Sequence, residues 1–129
     1  MTPLVTVQAL YQAFKARDRA AILRLFHPEI VWIQNAGFPS GGTHVGAVAV
    51  LDGVFARFRQ DWSTWGAEVE EWLESGETIV ALGFYHGVHA ATGRAMRADF
   101  AHVYRVRDGC IVRFQQFTDT HSVRQAMSP

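Results

Sequence analysis

The sequence predicts one α+β domain, with helices first and a meander of antiparallel strands after them. Three observations predict it. Apolar residues recur at helical spacing through the first half of the chain, the period switches to two in the second half, and Asp108-Gly109 joins two β-rich runs as a tight hairpin. A length of 129 residues suits a single domain over 1–129, and 49% hydrophobic against 19% charged residues supports a packed core.

Thr2-Pro3 reads as an N-cap followed by proline in a first helical turn. Leu4, Val7, Leu10, Tyr11 and Phe14 then fall on one helical face. Asp18 can cap a second, short helix carrying Ile22, Leu25 and Phe26, which His27-Pro28 ends because the residue before proline avoids helical geometry. Glu29 to Gln34 is a short β-rich run. Asn35 to Thr43 holds three glycines and a proline and predicts a loop without regular structure. From Gly46 the helical period returns, with Val48, Leu51, Phe55 and Phe58 on one face.

After Trp62 and Trp65, Val69 and Leu73 alternate with glutamates. Turns at Ser75-Gly76, Thr92-Gly93 and Asp108-Gly109 separate long strands over 78–90, 95–107 and 110–118, and a short helix can follow from His121.

Composition excludes several function classes. Twelve basic residues balance twelve acidic ones with no basic cluster, so no nucleic-acid partner is expected. A lone cysteine, Cys110, excludes an internal disulfide and a cysteine-rich metal site. No basic leader and no long apolar run is seen, so the expected location is the cytoplasm, away from membranes. Glycine-rich phosphate loops, dinucleotide fingerprints and a Gly-x-Ser-x-Gly nucleophile are absent. No cofactor is expected. Neither His-x-His nor His-x-x-x-His occurs, so no metal site is expected either.

What stands out is aromatic content: nine Phe, four Trp and three Tyr suit the wall of an apolar cavity as well as a bulky core. Phe14, Phe55, Phe58, Trp62, Trp65, Phe84 and Phe100 are candidate wall residues, with Trp32 as floor and Tyr11, Tyr104 and Phe117 beside them. Gln34 can hydrogen-bond a ligand, His44 sits in the glycine-rich loop, and His86 lies mid-strand.

Strand alternation singles out His102. Met96, Ala98, Phe100, His102, Tyr104 and Val106 share the more apolar face of their strand, so His102 is expected to face inward among apolar neighbours. On the next strand Ile111, Arg113, Gln115, Phe117 and Asp119 share one parity, which brings Asp119 toward His102 unless a β-bulge intervenes. A carboxylate and an imidazole meeting in an apolar pocket can abstract a proton beside a carbonyl and steady the resulting enolate. The bland alternatives are an N-cap role for Asp119 and a core histidine bonded to backbone for His102.

The run Thr92-Gly93-Arg94, Phe100 to Val112 and Phe117-Thr118-Asp119-Thr120 resembles the C-terminal half of SnoaL-like proteins. These belong to the superfamily of nuclear transport factor 2 and ketosteroid isomerase. Phe26-His27-Pro28-Glu29-Ile30-Val31-Trp32 and Gly42-Thr43-His44-Val45-Gly46 extend the resemblance over the whole chain. It implies a cone-shaped roll, in which three N-terminal helices close over a curved mixed or antiparallel sheet around an apolar pocket for a small apolar molecule. It also implies a homodimer paired through the outer face of the sheet, which zero net charge mildly favours.

In the family's polyketide cyclases a histidine and an aspartate serve on the last strands. The resemblance therefore implies His102 and Asp119 as catalytic residues of a cofactor-independent isomerase or cyclase acting on a carbonyl compound. The family's isomerases carry a base carboxylate near the end of the first strand. Trp32-Ile33-Gln34-Asn35 has none, which speaks against steroid isomerisation and for a non-catalytic binding or dimerisation domain. Arg97-Ala98-Asp99 resembles the Arg-x-Asp element of limonene-type epoxide hydrolases, with Asp119 as second aspartate. Alternation instead puts Asp99 on the face opposite His102.

Overall fold

The computed structural model describes residues 1–129. Helix α1 (Pro3–Lys15) begins where Thr2 Oγ1 accepts the Val5 N–H at 3.2 Å, and Asp18 caps α2 (Arg19–Leu25) by accepting the Ala21 N–H at 3.0 Å. The chain turns extended at Phe26, before His27-Pro28, so strand β1 (Phe26–Gln34) carries the proline inside it. Its ladder is interrupted between Phe26 and Val31, where a missing N–H costs no bond.

Part of the glycine-rich segment also departs from expectation. Gly42 to Val45 form strand β2 (Gly42–Val45), which pairs antiparallel with β1 from Gln34↔Gly42 to Val31↔Val45. Gly42 takes φ +113, a conformation other side chains resist, and this lets the loop return alongside β1.

Helices α3 (Ala47–Val50) and α4 (Ala56–Asp61) are joined through a π-helical turn, Leu51–Phe55, into one stretch. It buries Ala47, Val50, Leu51, Val54 and Phe58, whereas Val48, expected on that face, is 56% exposed.

Strands β3 (Trp62–Ser75), β4 (Thr78–His89), β5 (Ala95–Arg107) and β6 (Cys110–Thr118) follow, and α5 (Thr120–Met127) ends the chain. Asp108 at φ 51 and Gly109 at φ 78 make the tight β5–β6 turn that their sequence predicts. The six strands form an open mixed sheet in the order β2-β1-β6-β5-β4-β3, antiparallel throughout except that β1 runs parallel to β6. The expected α+β class, with three N-terminal helical segments over one sheet, is met.

Register shifts bend the sheet. One falls in β3 between Val69 and Glu71, opposite Gly83, where a Cβ would lie 1.9 Å from the Glu68 carbonyl oxygen. Only glycine fits that approach. Another falls between Arg105 and Val106 on the β5–β6 ladder, and it reverses the facing of the last strand: Ile111, Phe114 and Gln116 are buried, and Phe117 turns out.

The core lies between the helices and the inner face of the sheet, around Val7, Ile30, Val50, Ile79, Tyr104, Ile111 and Phe114. Helix α5 closes one end. Val123 is fully buried, Arg124 Nε donates to the Gly37 carbonyl at 2.6 Å, and Thr92 Oγ1 donates to the Ala126 carbonyl at 2.5 Å. No helix is long and apolar enough to cross a membrane.

Candidate functional site

A cavity of about 40 Å³ opens between α1, the π-helical turn, α4 and the inner face of the sheet. Twelve of its fourteen lining residues are hydrophobic by type. Buried Trp32, Gln34, Tyr85, His102, Tyr104 and Phe114 form the floor, the Tyr11 hydroxyl reaches down to it, and partly exposed Phe14, Phe55, Trp65 and Ala67 lie toward the mouth. Aromatic rings supply most of the wall: Phe14 meets Phe55 edge-on at 5.0 Å between centroids, and Phe58 stacks on Trp65 at 4.3 Å. Phe38, from the loop after β1, is 2% exposed and plugs one end against Phe58, Trp65 and Tyr85.

Across the floor runs a row of hydrogen-bonded polar side chains. Tyr104 donates its hydroxyl proton to the Tyr11 hydroxyl at 2.8 Å. The Tyr11 hydroxyl lies 2.5 Å from His102 Nδ1, and the Tyr85 hydroxyl lies 2.6 Å from His102 Nε2. Gln116 Nε2 donates to the Tyr85 oxygen at 2.8 Å, while its Oε1 accepts the Asn35 N–H at 3.0 Å. Phe100 stacks flat on the imidazole at 3.7 Å and fixes its plane. A second pair sits beside the row: Trp32 Nε1 donates to Gln34 Oε1 at 3.0 Å, and Gln34 Nε2 donates to Ser40 Oγ at 3.2 Å.

Burial sets the charge state of the row. It lowers the His102 pKa well below 6.5, so the imidazole is neutral at neutral pH. Burial also raises the Tyr11 and Tyr104 hydroxyls well above their ordinary value, and it raises Tyr85 against the opposing pull of the Gln116 bond. All three phenols stay protonated. The lining contains no carboxylate, lysine or arginine. The site can donate hydrogen bonds into an apolar space, and it has no fixed charge.

Strand alternation placed His102 inward, and the structure agrees. Tyr11, Phe14, Trp32, Gln34, Phe55, Phe58, Trp65 and Tyr104 line the cavity with it. Phe100 lies behind the imidazole, and Trp62 is buried against Trp65 and His89, outside the lining.

The expected meeting of His102 with Asp119 does not occur. Asp119 is exposed and caps α5, accepting the Ser122 N–H at 3.1 Å and the Ser122 hydroxyl at 2.5 Å. Those bonds hold its carboxyl below the ordinary value. The bulge at Arg105/Val106 explains the miss, because it reverses the parity on which the expectation rested.

Four other expected pocket residues lie elsewhere. Phe117 is 48% exposed on the outer face. Phe84 packs there beneath the Arg97 guanidinium at 3.6 Å, and exposed His86 pairs with Glu68 at 3.2 Å. His44, on edge strand β2, is held by the Ser40 carbonyl at 2.9 Å. Asp99 is 84% exposed on the outer face, 4.0 Å from Arg97, so no pair of aspartates shares the cavity.

Tyr85, Phe114, Leu10, Val54 and Ala67 line the cavity unforeseen, and Gln116 completes the row. The alternation of Ile79, Ala81, Gly83, Tyr85, Gly87 and His89 along β4 contains the signal for Tyr85. It was masked because the other face of β4, with Val80, Leu82 and Phe84, is the more apolar.

Comparison with known proteins agrees with this architecture. An NTF2-like protein from Burkholderia thailandensis is 37% identical, superimposes with a TM-score of 0.95, and is matched over 100% of this chain and 99% of its own. TerC, co-crystallised with polyporic acid, is 24% identical with a TM-score of 0.87 over 97% of each chain. IdmH, a putative polyketide cyclase from Streptomyces antibioticus, is 22% identical with a TM-score of 0.83 over 98% of this chain and 99% of its own. No curated protein matches. The SnoaL-like domain profile matches residues 7–114, and the chain, with its NTF2-like fold, belongs to the SnoaL-like domain family.

Proposed function

We propose that the chain binds a small, largely apolar carbonyl compound in this cavity, as a cytoplasmic homodimer, and polarises the ligand's oxygen with a phenolic hydrogen bond. The observation that carries this reading is the row Tyr104–Tyr11–His102–Tyr85–Gln116 at the bottom of a cavity whose remaining wall is apolar but for Gln34. The row satisfies itself by hydrogen bonds, and an apolar core alone has no need of five such side chains.

The same donors suit the acid half of isomerase or polyketide-cyclase chemistry, where an enol oxygen gains charge. The neighbour IdmH and the co-crystallised TerC are in keeping with a small-molecule site. No carboxylate stands ready as base, and both imidazole nitrogens are engaged by phenols, so ligand binding comes ahead of turnover.

A second reading has its own observation. At about 40 Å³ the cavity is far below the roughly 300 Å³ of an ordinary ligand pocket, as in a domain whose rings fill their own core. Binding then requires the mouth rings Phe14 and Phe55 to swing aside, a side-chain change common on binding.

Native mass spectrometry against a panel of small aromatic ketones and quinones separates the two. Retained adducts that weaken at least about tenfold in Tyr11→Phe support the binding reading. A chain that retains no panel member supports the self-filled core.

A further inference from the structure

The row holds an odd proton. Tyr104, Tyr11 and Tyr85 each carry one hydroxyl proton, and a neutral imidazole carries one N–H, giving four protons. They serve three links: Tyr104–Tyr11, Tyr11–His102 and His102–Tyr85. Gln116 adds its own N–H to the Tyr85 oxygen and takes up no proton from the row. With Tyr104 donating to Tyr11, one hydroxyl proton is left over, on Tyr11 or on Tyr85 according to the imidazole tautomer. The neutral site therefore offers a ligand one phenolic donor.

One more proton changes the count. Protonated on both nitrogens, His102 donates to Tyr11 and to Tyr85, and both hydroxyl protons are freed for a ligand. These hydroxyls sit against opposite nitrogens of one ring, so they point to separate places and cannot converge on a single oxygen. They fit two oxygens of one molecule.

Charge points the same way. The elements that line the cavity with the imidazole contribute Tyr11 from α1, Trp32 and Gln34 from β1, Val54 and Phe55 from the π-helical turn, and Phe58 from α4. The sheet adds Trp65 and Ala67 from β3, Tyr85 from β4, Tyr104 from β5 and Phe114 with Gln116 from β6. Apart from three phenols, none of these titrates. An anion entering the cavity finds one group able to neutralise it, and burying it unpaired is strongly unfavourable.

Resting on the carbonyl-binding reading, we infer that the site takes an anion whose charge is shared by two conjugated oxygens, the ionised enol of a dicarbonyl or hydroxyquinone, together with one proton held on His102. In the balanced step the ligand's O–H bond breaks, an N–H bond forms on the imidazole, and no electrons leave or enter. When the ligand arrives already ionised, the proton comes from solvent. The empty site stays neutral and the filled site stays neutral, while the two phenols grip the two oxygens.

Lawsone, a hydroxynaphthoquinone that is a coloured anion at neutral pH, and its uncharged O-methyl ether are suitable probes. Calorimetry of the full chain at neutral pH, in two buffers of different ionisation enthalpy, reads proton uptake, and the visible spectrum reads the bound ionisation state. The expected result is one proton taken up per lawsone bound as its anion, and none for the ether. His102→Gln removes the uptake and weakens lawsone at least about tenfold. Should that variant not fold, Tyr85→Phe serves: it loses one grip and weakens lawsone more than the ether.

Lawsone binding without proton uptake, or binding as the neutral enol, overturns the inference and leaves the carbonyl-binding reading standing. If neither compound binds, both fall.

Discussion

Asp119 caps the last helix by holding Ser122 twice, through its backbone N–H at 3.1 Å and its hydroxyl at 2.5 Å. The carboxylate that strand parity aimed into the pocket is thus spent on a helix end. Asp119→Ala is expected to cost about 1 kcal/mol of stability and to leave ligand affinity as it was. Urea denaturation paired with a binding titration checks both halves. A loss of binding without a loss of stability would return Asp119 to the site.

Gln116 satisfies two groups at once, the Tyr85 oxygen and the Asn35 N–H. Gln116→Leu keeps most of the volume, strands the Asn35 N–H and leaves the Tyr85 hydroxyl with its His102 bond alone, so a loss of about 1–3 kcal/mol is expected. Chemical denaturation measures it. The same variant removes one of the two bonds to the Tyr85 hydroxyl, so its ring signals in NMR should shift.

His102 links stability to pH. Its folded pKa lies below its ordinary value of 6.5, so beneath that pH the unfolded chain binds a proton that the folded chain refuses. This contribution to stability is unchanged above about pH 6.5 and is lost as pH falls through it, at up to about 1.4 kcal/mol per unit. His102→Gln should flatten that slope in a series of denaturation curves. An equally steep slope in the variant would place the acid sensitivity elsewhere.

Gly83 stands where a methyl group would strike the Glu68 carbonyl at the β3 bulge. Backbone cannot yield as a side-chain tip can, so Gly83→Ala is expected to cost about 3 kcal/mol. Circular dichroism during thermal melting tests it. By contrast, Gly76→Ala meets no neighbour and loses only the ease of its φ of +60.

Phe117 and Leu73 stand half-exposed on the outer face of the sheet. Large apolar side chains left on one face of a sheet are what a second copy would cover. Sedimentation is expected to give a dimer for the native chain and a monomer for Phe117→Glu, with the fold intact. A native chain that sediments only as monomer would remove the homodimer.

The residues themselves explain how far the sequence could be read. Caps at Thr2 and Asp18, the hairpin at Asp108-Gly109 and the inward facing of His102 follow from local chemistry and unbroken alternation, and each appears as expected. The facing of β6 did not, because one bulge between Arg105 and Val106 exchanges Gln115 and Phe117 for Phe114 and Gln116. A bulge depends on both strands and leaves little trace in either. Tyr85 was hidden for another reason. The outer face of β4 is as greasy as a core face, so hydrophobicity alone pointed the strand the wrong way.

The parallel pairing of β1 with β6 has a consequence for how the molecule is made. Val31 must find Arg113, and Trp32 must find Phe114, near the far end of the chain. Until β6 emerges near the end of synthesis, β2 is the one strand partner available to β1. Trp32, which stacks on Phe114 and meets Tyr104 edge-on in the finished fold, lacks those two covers until then. Messages truncated before Cys110 would release a polypeptide prone to clumping, and the closing strand acts as the latch that ends this exposure.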